Sequence, residues 1–293
     1  MLTWPVAVVG WVTSIVQEAE ASQKRINEFL EEEPEIQNSV NLPTKIQGKI
    51  DFKNVTFTYD DTNTTALKDV SFTLEKGKVL AILGKTGSGK STIAELIARL
   101  YDINKGEILI DNKPIKDVNL TSLRNSIGFV TQEAFLFSDT IANNIKFGNV
   151  DAVTEVIQNA AKNAHIHNNI EDFSKSYDTF VGERGVTLSG GQKQRISIAR
   201  AIIKEPEILI FDDCLSAVDT ETEEIILNNL NAICKDKTTI IIGHRVSSAK
   251  NADLIIVLDD GKIIQKGTHN ELFKQKGFYQ NIYNQQLMEQ SVQ

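Results

Sequence analysis

One stretch constrains this chain more than any other: Gly84-Lys85-Thr86-Gly87-Ser88-Gly89-Lys90-Ser91-Thr92. It matches G-x-x-x-x-G-K-[ST], the phosphate-binding loop, a motif that requires a strand before it and a helix after it. Both are legible. The apolar run Val79 to Leu83 reads as a buried strand, and Ile93, Leu96, Ile97 and Leu100 follow at helical spacing. Glycines let the backbone curl until successive N–H groups point at phosphate oxygens, and the helix that starts there adds the positive end of its dipole. Lys90 is expected to neutralise the β- and γ-phosphates, and the Ser91 hydroxyl to ligate Mg²⁺. The stretch is read as a nucleotide site.

Composition narrows the class. The 293 residues allow one large or two modest domains, and 41% hydrophobic with 24% charged residues is ordinary for a globular protein. The net charge of −8 argues against a broad nucleic-acid-binding surface, which needs a basic face. Phosphate affinity therefore has to come from local geometry. The two cysteines, Cys214 and Cys234, show neither metal spacing nor a disulfide framework, and read as small apolar fillers in a reducing compartment. The histidines are scattered and form no ligand cluster.

Taken in order, the chain opens with Leu2 to Val16, almost wholly apolar and without charge, yet shorter than the roughly 20 residues of a membrane span. A signal peptide is excluded by the missing basic n-region and the missing small-residue cleavage site. A polar helical pattern continues to Leu30. Residues 1–30 are expected to be the cytoplasmic end of a transmembrane helix with its extension, with an amphipathic packing helix as the alternative. Residues 31–48, acidic with two prolines, read as a linker. A globular domain is expected over 49–287 and a tail over 288–293. In that domain, strands are expected from Lys49 to Tyr59 (with a slip near Asn54), Leu67 to Leu74, Val79 to Leu83, Gly106 to Ile110 and Ile127 to Val130. Further strands are expected over 208–211, 238–242, 254–258 and 262–266. Helices are expected over 151–164, after Ser189, over 221–230, and after Thr268, where Glu271 completes a capping box. The alternation indicates an α/β domain with a mainly parallel central sheet.

Two further motifs carry chemistry. Asp212 ends the apolar run Ile208 to Phe211, which sets its carboxylate beside the phosphate loop to hold Mg²⁺. Leu188-Ser189-Gly190-Gly191-Gln192 places a capping serine at a helix start among glycines, a second anion-binding helix end. One nucleotide has little use for two such ends from one subunit, so the second points to another chain placed head to tail.

These residues together resemble the nucleotide-binding domain of an ATP-binding cassette (ABC) transporter, over about Lys49 to Leu287. The resemblance implies a P-loop NTPase of the ABC-ATPase fold, with a mainly parallel core sheet, an antiparallel β subdomain and a helical signature subdomain. It also implies ATP with Mg²⁺ as ligands. Its pattern assigns Tyr59 to adenine stacking, Gln132 to a Mg²⁺ and water contact facing the membrane domains, and Leu188 to Gln192 to the signature. It assigns Asp219, in Ser216-Ala217-Val218-Asp219, to a cross-dimer loop and His244 to a γ-phosphate contact. Taken singly, Tyr59 could be a strand aromatic, Gln132 a surface residue and His244 a satisfied histidine. Gly182-Glu183-Arg184-Gly185, Gly267-Thr268-His269 and the N-terminal segment resemble exporters over importers. The implied setting is the cytoplasmic face of the cell (inner) membrane. The implied partners are transmembrane domains and a second nucleotide-binding domain, a heterodimer being favoured, with the chain as the C-terminal half of a longer polypeptide or a truncation of one.

The chain departs from that pattern at Asp213, where hydrolytic members carry Glu to polarise the attacking water. Asp withdraws the carboxylate by roughly 1.5 Å, one C–C bond. Asp212-Asp213-Cys214-Leu215-Ser216 resembles the degenerate partner of heterodimeric exporters, so this site is expected to bind ATP firmly and hydrolyse it slowly. A homodimer in which Asp suffices is one alternative. A regulatory ATP-binding subunit and a soluble, non-transport cassette ATPase are the others.

Overall fold

The computed structural model describes residues 3–185, 187–214, 225–226, 229 and 236–290. The chain divides into two compact units, Met1–Gln37 and Asn38–Gln293. The first is a single helix, α1 (Thr3–Leu30), with no buried residue; Trp4, Trp11 and Phe29 are all exposed. Among the described residues no helix is long and apolar enough to cross a membrane.

The second unit holds β1 (Ile50–Tyr59), β2 (Thr64–Leu74), β3 (Val79–Gly84), α2 (Lys90–Ile97), β4 (Lys105–Ile110), β5 (Lys113–Pro114), α3 (Leu120–Asn125) and β6 (Ile127–Val130). Then come β7 (Asp139–Thr140), α4 (Ile141–Lys146), α5 (Thr154–Asn163), α6 (His167–Glu171), β8 (Phe180–Val181), α7 (Gly190–Ile202) and β9 (Ile208–Asp212). It closes with β10 (Thr238–Ile242), α8 (Val246–Ala249), β11 (Leu254–Asp259), β12 (Lys262–Gly267), α9 (His269–Lys274) and α10 (Phe278–Gln290). Most of the helix expected over 221–230 lies outside the described residues, as do Asp219 and Cys234; Cys214 is buried, as expected.

The main sheet runs β12-β11-β3-β10-β9-β6. Its inner pairings are parallel, and only the β11–β12 hairpin is antiparallel. The strands are continuous apolar runs because both faces are covered. Leu80 and Ile82 of β3, Ile208 and Ile210 of β9, and Ile240 of β10 point to one core, shared with α2 and the second sheet. Their neighbours turn the other way. Leu209 and Phe211 meet the helical part built on α4, α5 and α7, while Ala81 and Leu83 meet α8 and α10. Each fully buried Leu, Ile or Phe contributes about 1.5–3 kcal/mol relative to exposure. The fold is therefore decided by two-sided burial rather than by alternation.

The second sheet, β2-β1-β4-β5, is antiparallel and faces the core with Phe52, Val55 and Phe57. The slip expected near Asn54 is a bulge: the register breaks between Phe52 and Val55, and Asn54 takes a φ of 49°. Helix α2 ends sooner than its apolar spacing implies. Arg99 turns left-handed at φ 48° just past the cap, which leaves Leu100 exposed. The helix expected over 151–164 begins only at Thr154, and β5, β7 and β8 are too short to leave a periodic signal.

The compact unit begins inside the stretch read as linker. Asn119, the cap of α3, donates through its side chain to the Val40 carbonyl and through its N–H to Thr44 Oγ1 at 3.2 Å. Asn38 Oδ1 accepts from Leu120 N at 2.9 Å, and Thr44 N donates to Ser122 Oγ at 3.1 Å. Residues 38–44 are thus fastened to the start of α3.

Gly106 (φ 88°) crosses directly over the β1 bulge, where an added Cβ would collide with the carbonyl oxygens of Lys53 and Asn54. Both are backbone atoms, so neither can swing away. Gly106→Ala is expected to destabilise the 38–293 unit by about 2–4 kcal/mol, read as a lowered urea midpoint at unchanged m-value.

Candidate functional site at the C-terminal edge of the sheet

Parallel register sets the site. Gly84 lies opposite Leu258, Ile82 opposite Ile242, Ile242 opposite Asp212, and Phe211 opposite Val130. The phosphate loop, Gly243-His244, Asp212-Asp213 and Thr131-Gln132 therefore leave the sheet along one edge. That is the carboxyl edge, where open α/β sheets bind ligands.

The loop begins at Gly84 and closes onto α2 through Gly89, the N-cap residue at φ 96°. A Cβ on Gly89 would meet the Ala66 carbonyl and come within 2.9 Å of Leu67 Cδ2, so the left-handed turn and the close approach to β2 both require glycine. Lys90, only 7% exposed, turns back into the loop and donates to the carbonyls of Gly84 at 2.9 Å and Lys85 at 2.8 Å. Burial lowers its pKa, opposed by the charges of Asp213 and Asp212. Ser88 Oγ is buried with no hydrogen-bond partner among the described residues. A polar cradle that leaves one of its own hydroxyls unmatched suits an anionic ligand rich in acceptor oxygens.

Asp212 is 6% exposed and hydrogen-bonded to Ser91. Burial raises its pKa above the usual carboxylate range; Asp213 and Glu95 add to the rise, and the Ser91 bond and Lys90 oppose it. A desolvated carboxylate beside a hydroxyl is a donor pair for a hard cation that takes oxygen ligands, so these residues fit Mg²⁺. Asp213 starts its turn in the left-handed region at φ 44°, with its N–H bonded to the Ile242 carbonyl at 2.9 Å. Its Oδ2 lies 3.8 Å from His244 Nε2. Gln132, two residues past β6, is exposed on the same edge.

Tyr59 ends β1 with its ring set edge-on to Phe57 and Tyr101, at centroid distances of 4.8 and 5.3 Å. Its hydroxyl donates to Glu95 Oε2 at 2.7 Å and lies 3.0 Å from Thr92 Oγ1. Burial keeps the phenol neutral, and the Glu95 contact reinforces this. The structure thus ties the aromatic to the helix that bears the loop, a link the sequence reading missed. Its signal was available: Glu95 is four residues after Ser91, on the same helical face.

Ser189 caps α7 as expected, in a complete capping box. Gln192 N donates to Ser189 Oγ at 3.3 Å, and Ser189 N donates to Gln192 Oε1 at 3.0 Å. Leu188 is buried, whereas Gly190 and Gly191 are exposed. Among the described residues no hydrogen bond joins 188–192 to 84–92. The chain thus keeps its two helix-start motifs apart, and Asp219 lies outside the described residues.

The raised pKa of Asp212 has a consequence for stability. Its folded pKa lies above its unfolded value, so the native state holds the proton more tightly and loses stability as pH rises between the two. Above the unfolded pKa and without ligand, the carboxyl group is therefore a net cost. Asp212→Asn keeps an acceptor for Ser91 and removes the charge. It is expected to raise the melting temperature of the ligand-free chain at pH 7, with the gain shrinking toward pH 4.

The ABC transporter family matches residues 67–216 of this chain. An uncharacterized ABC transporter ATP-binding protein of Bacillus subtilis is 47% identical over 287 residues, covering 97% of this chain and 49% of that protein. An ATP-dependent lipid A-core flippase of Photobacterium profundum is 44% identical over 284 residues, covering 97% of this chain and 48% of its own length. A solved bacterial Atm1-family ABC exporter with ATP bound superposes with a TM-score of 0.90 at 39% identity, covering 97% of this chain and 50% of that one. The chain spans about half the length of the curated relatives it matches. With the phosphate loop, the acidic strand end and the signature helix on one α/β scaffold, this chain belongs to the ABC transporter family and carries its ATP-binding cassette.

Proposed function

We propose that the chain is the ATP-binding and hydrolysing motor domain of an ABC-type exporter, and that it closes on a second cassette when ATP binds. The observation that carries this reading is the convergence of Lys90, Asp212, Asp213 and His244 on one edge of the parallel sheet. Gly84 to Thr92 would cradle the phosphates through backbone N–H groups, with Lys90 exchanging its carbonyl partners for β- and γ-phosphate oxygens. Ser91, Asp212 and Gln132 would hold Mg²⁺, which when bound neutralises charge on those oxygens. Tyr59 stacks on adenine, held by Glu95 and Thr92. His244 contacts the γ-phosphate. Asp213 orients the attacking water and draws its proton.

Leu188 to Gln192 serve the partner's nucleotide, since no hydrogen bond among the described residues joins them to their own loop, and Asp219 belongs to the same cross-dimer contact. Names among the relatives support export: the Photobacterium protein is a lipid A-core flippase, and a Staphylococcus aureus relative, 46% identical over 259 residues, is a putative multidrug export ATP-binding/permease protein. Helix α1, apolar at its start and polar at its end, is read as the cytoplasmic end of a transmembrane helix leading from membrane domains. That sets the cassette on the inner face of the cell membrane.

One observation favours a second reading within the same class, a regulatory subunit that binds ATP and turns it over slowly. Asp213 carries a shorter carboxylate from a left-handed backbone position. A misplacement of about 1 Å in such a group costs on the order of a hundredfold in rate. Asp213→Glu is therefore expected to raise steady-state ATPase at least tenfold with little change in ATP affinity. An unchanged rate would show that Asp213 already suffices and would remove the slow-site reading. Loss of ATP binding in Lys90→Ala, measured by calorimetry on the same chain, checks the cassette assignment itself.

A further inference from the structure

Helix α10 carries one inward stripe. Tyr279 is fully buried, and Ile282 and Tyr283 pack on the same small core as Val246 and Ala249 of α8. Gln286 continues that stripe one turn on, and its carboxamide reaches the backbone that carries His244. Gln286 Nε2 donates to the His244 carbonyl at 2.8 Å, and Gln286 Oε1 accepts from the Val246 N–H at 2.8 Å. The two backbone groups flank Arg245, so one side chain brackets the whole turn.

Two features make this bracket consequential. Helix α8 is only four residues long and has no side-chain cap of its own, so its first N–H groups need an outside acceptor. The His244 ring is 45% exposed, and its Nε2 lies 3.8 Å from Asp213 Oδ2. The ring projects from a backbone that Gln286 holds on both sides of Arg245.

We infer that Gln286 is a positioning residue for His244, which makes the C-terminal helix α10 a working part of the nucleotide site. The inference rests on the reading of His244 as a γ-phosphate contact. It has a reciprocal side: whatever engages His244 also tightens the hold on α10, because linkage runs both ways. ATP, which has a γ-phosphate, should order α10 more than ADP does.

The test uses the full chain with Mg²⁺ and a non-hydrolysable ATP analogue or ADP. Gln286→Ala removes both bonds. Gln286→Glu keeps the acceptor for Val246 and loses the donor to His244. The expected result is analogue affinity weakened about three- to tenfold in both variants, the span of one or two net hydrogen bonds, with ADP affinity unchanged. Of the four imidazole signals in a histidine-labelled sample, that of His244, assigned by its loss in His244→Ala, should shift or broaden. Those of His165 and His167, in the helical part, should hold still. Hydrogen exchange at Val246 should quicken in Gln286→Ala and stay slow in Gln286→Glu, and in the unmodified chain α10 should exchange more slowly with the analogue than with ADP.

A purely structural Gln286 would lower the melting temperature and leave the ratio of analogue to ADP affinity and the His244 signal at their unmodified values; that result overturns the inference. The underlying reading fails separately, if His244→Ala leaves the affinity ratio unchanged. The His244 signal and the Val246 exchange rate then decide the role of Gln286 on their own, and an unmoved signal with unchanged exchange overturns it.

Discussion

Everything in the cassette depends on the parallel pairing of β3, β10 and β9. Parallel strands end on the same side, so three chain segments more than a hundred residues apart at their extremes deliver their polar termini to one line. Asp212, Gly243 and Gly84 stand at successive levels of the ladder, two residues apart at most. The isoleucine and leucine runs that lock this register are buried on both faces, and a slip of one residue would reverse every side chain. The geometry of the site is here a by-product of hydrophobic register.

The site itself runs against the stability of the fold. A lysine and two aspartates are drawn to the mouth of an apolar sheet, burial lowers the pKa of one and raises that of another, and a serine hydroxyl is left unmatched. These local conflicts are the usual sign of a ligand site, since the missing partners belong to the ligand. The antiparallel sheet and α2 contribute differently. They hold Tyr59 by its hydroxyl, which ties the aromatic to the helix that bears the phosphate loop.

Much of this was legible in the residue order, for physical reasons that can be named. Gly84 to Ser91 specify both a conformation and a chemistry, which makes the motif readable without a structure. Two-sided burial gave the core strands runs such as Ile208 to Phe211, and the capping boxes at Ser189 and Thr268 marked helix starts because their partners are three residues away. What stayed hidden were contacts between distant positions. Gln286 sits 42 residues beyond His244, and nothing in its neighbourhood marks it. The early end of α2 was also invisible, since Leu100 keeps the apolar spacing while Arg99 breaks the backbone. The strap from Asn38 to Thr44 read as linker because its partners, Asn119 to Ser122, lie 75 to 82 positions away.

That strap fixes where the chain enters the compact unit. Residues 38–44 are held by individual bonds rather than by a strand ladder. Those bonds end on Asn119, Leu120 and Ser122, the cap and first turn of α3. Helix α3 runs within two residues into β6, and β6 ends at the turn that bears Gln132. Along the chain, only α3 and β6 separate the strap's anchor from the turn that bears Gln132.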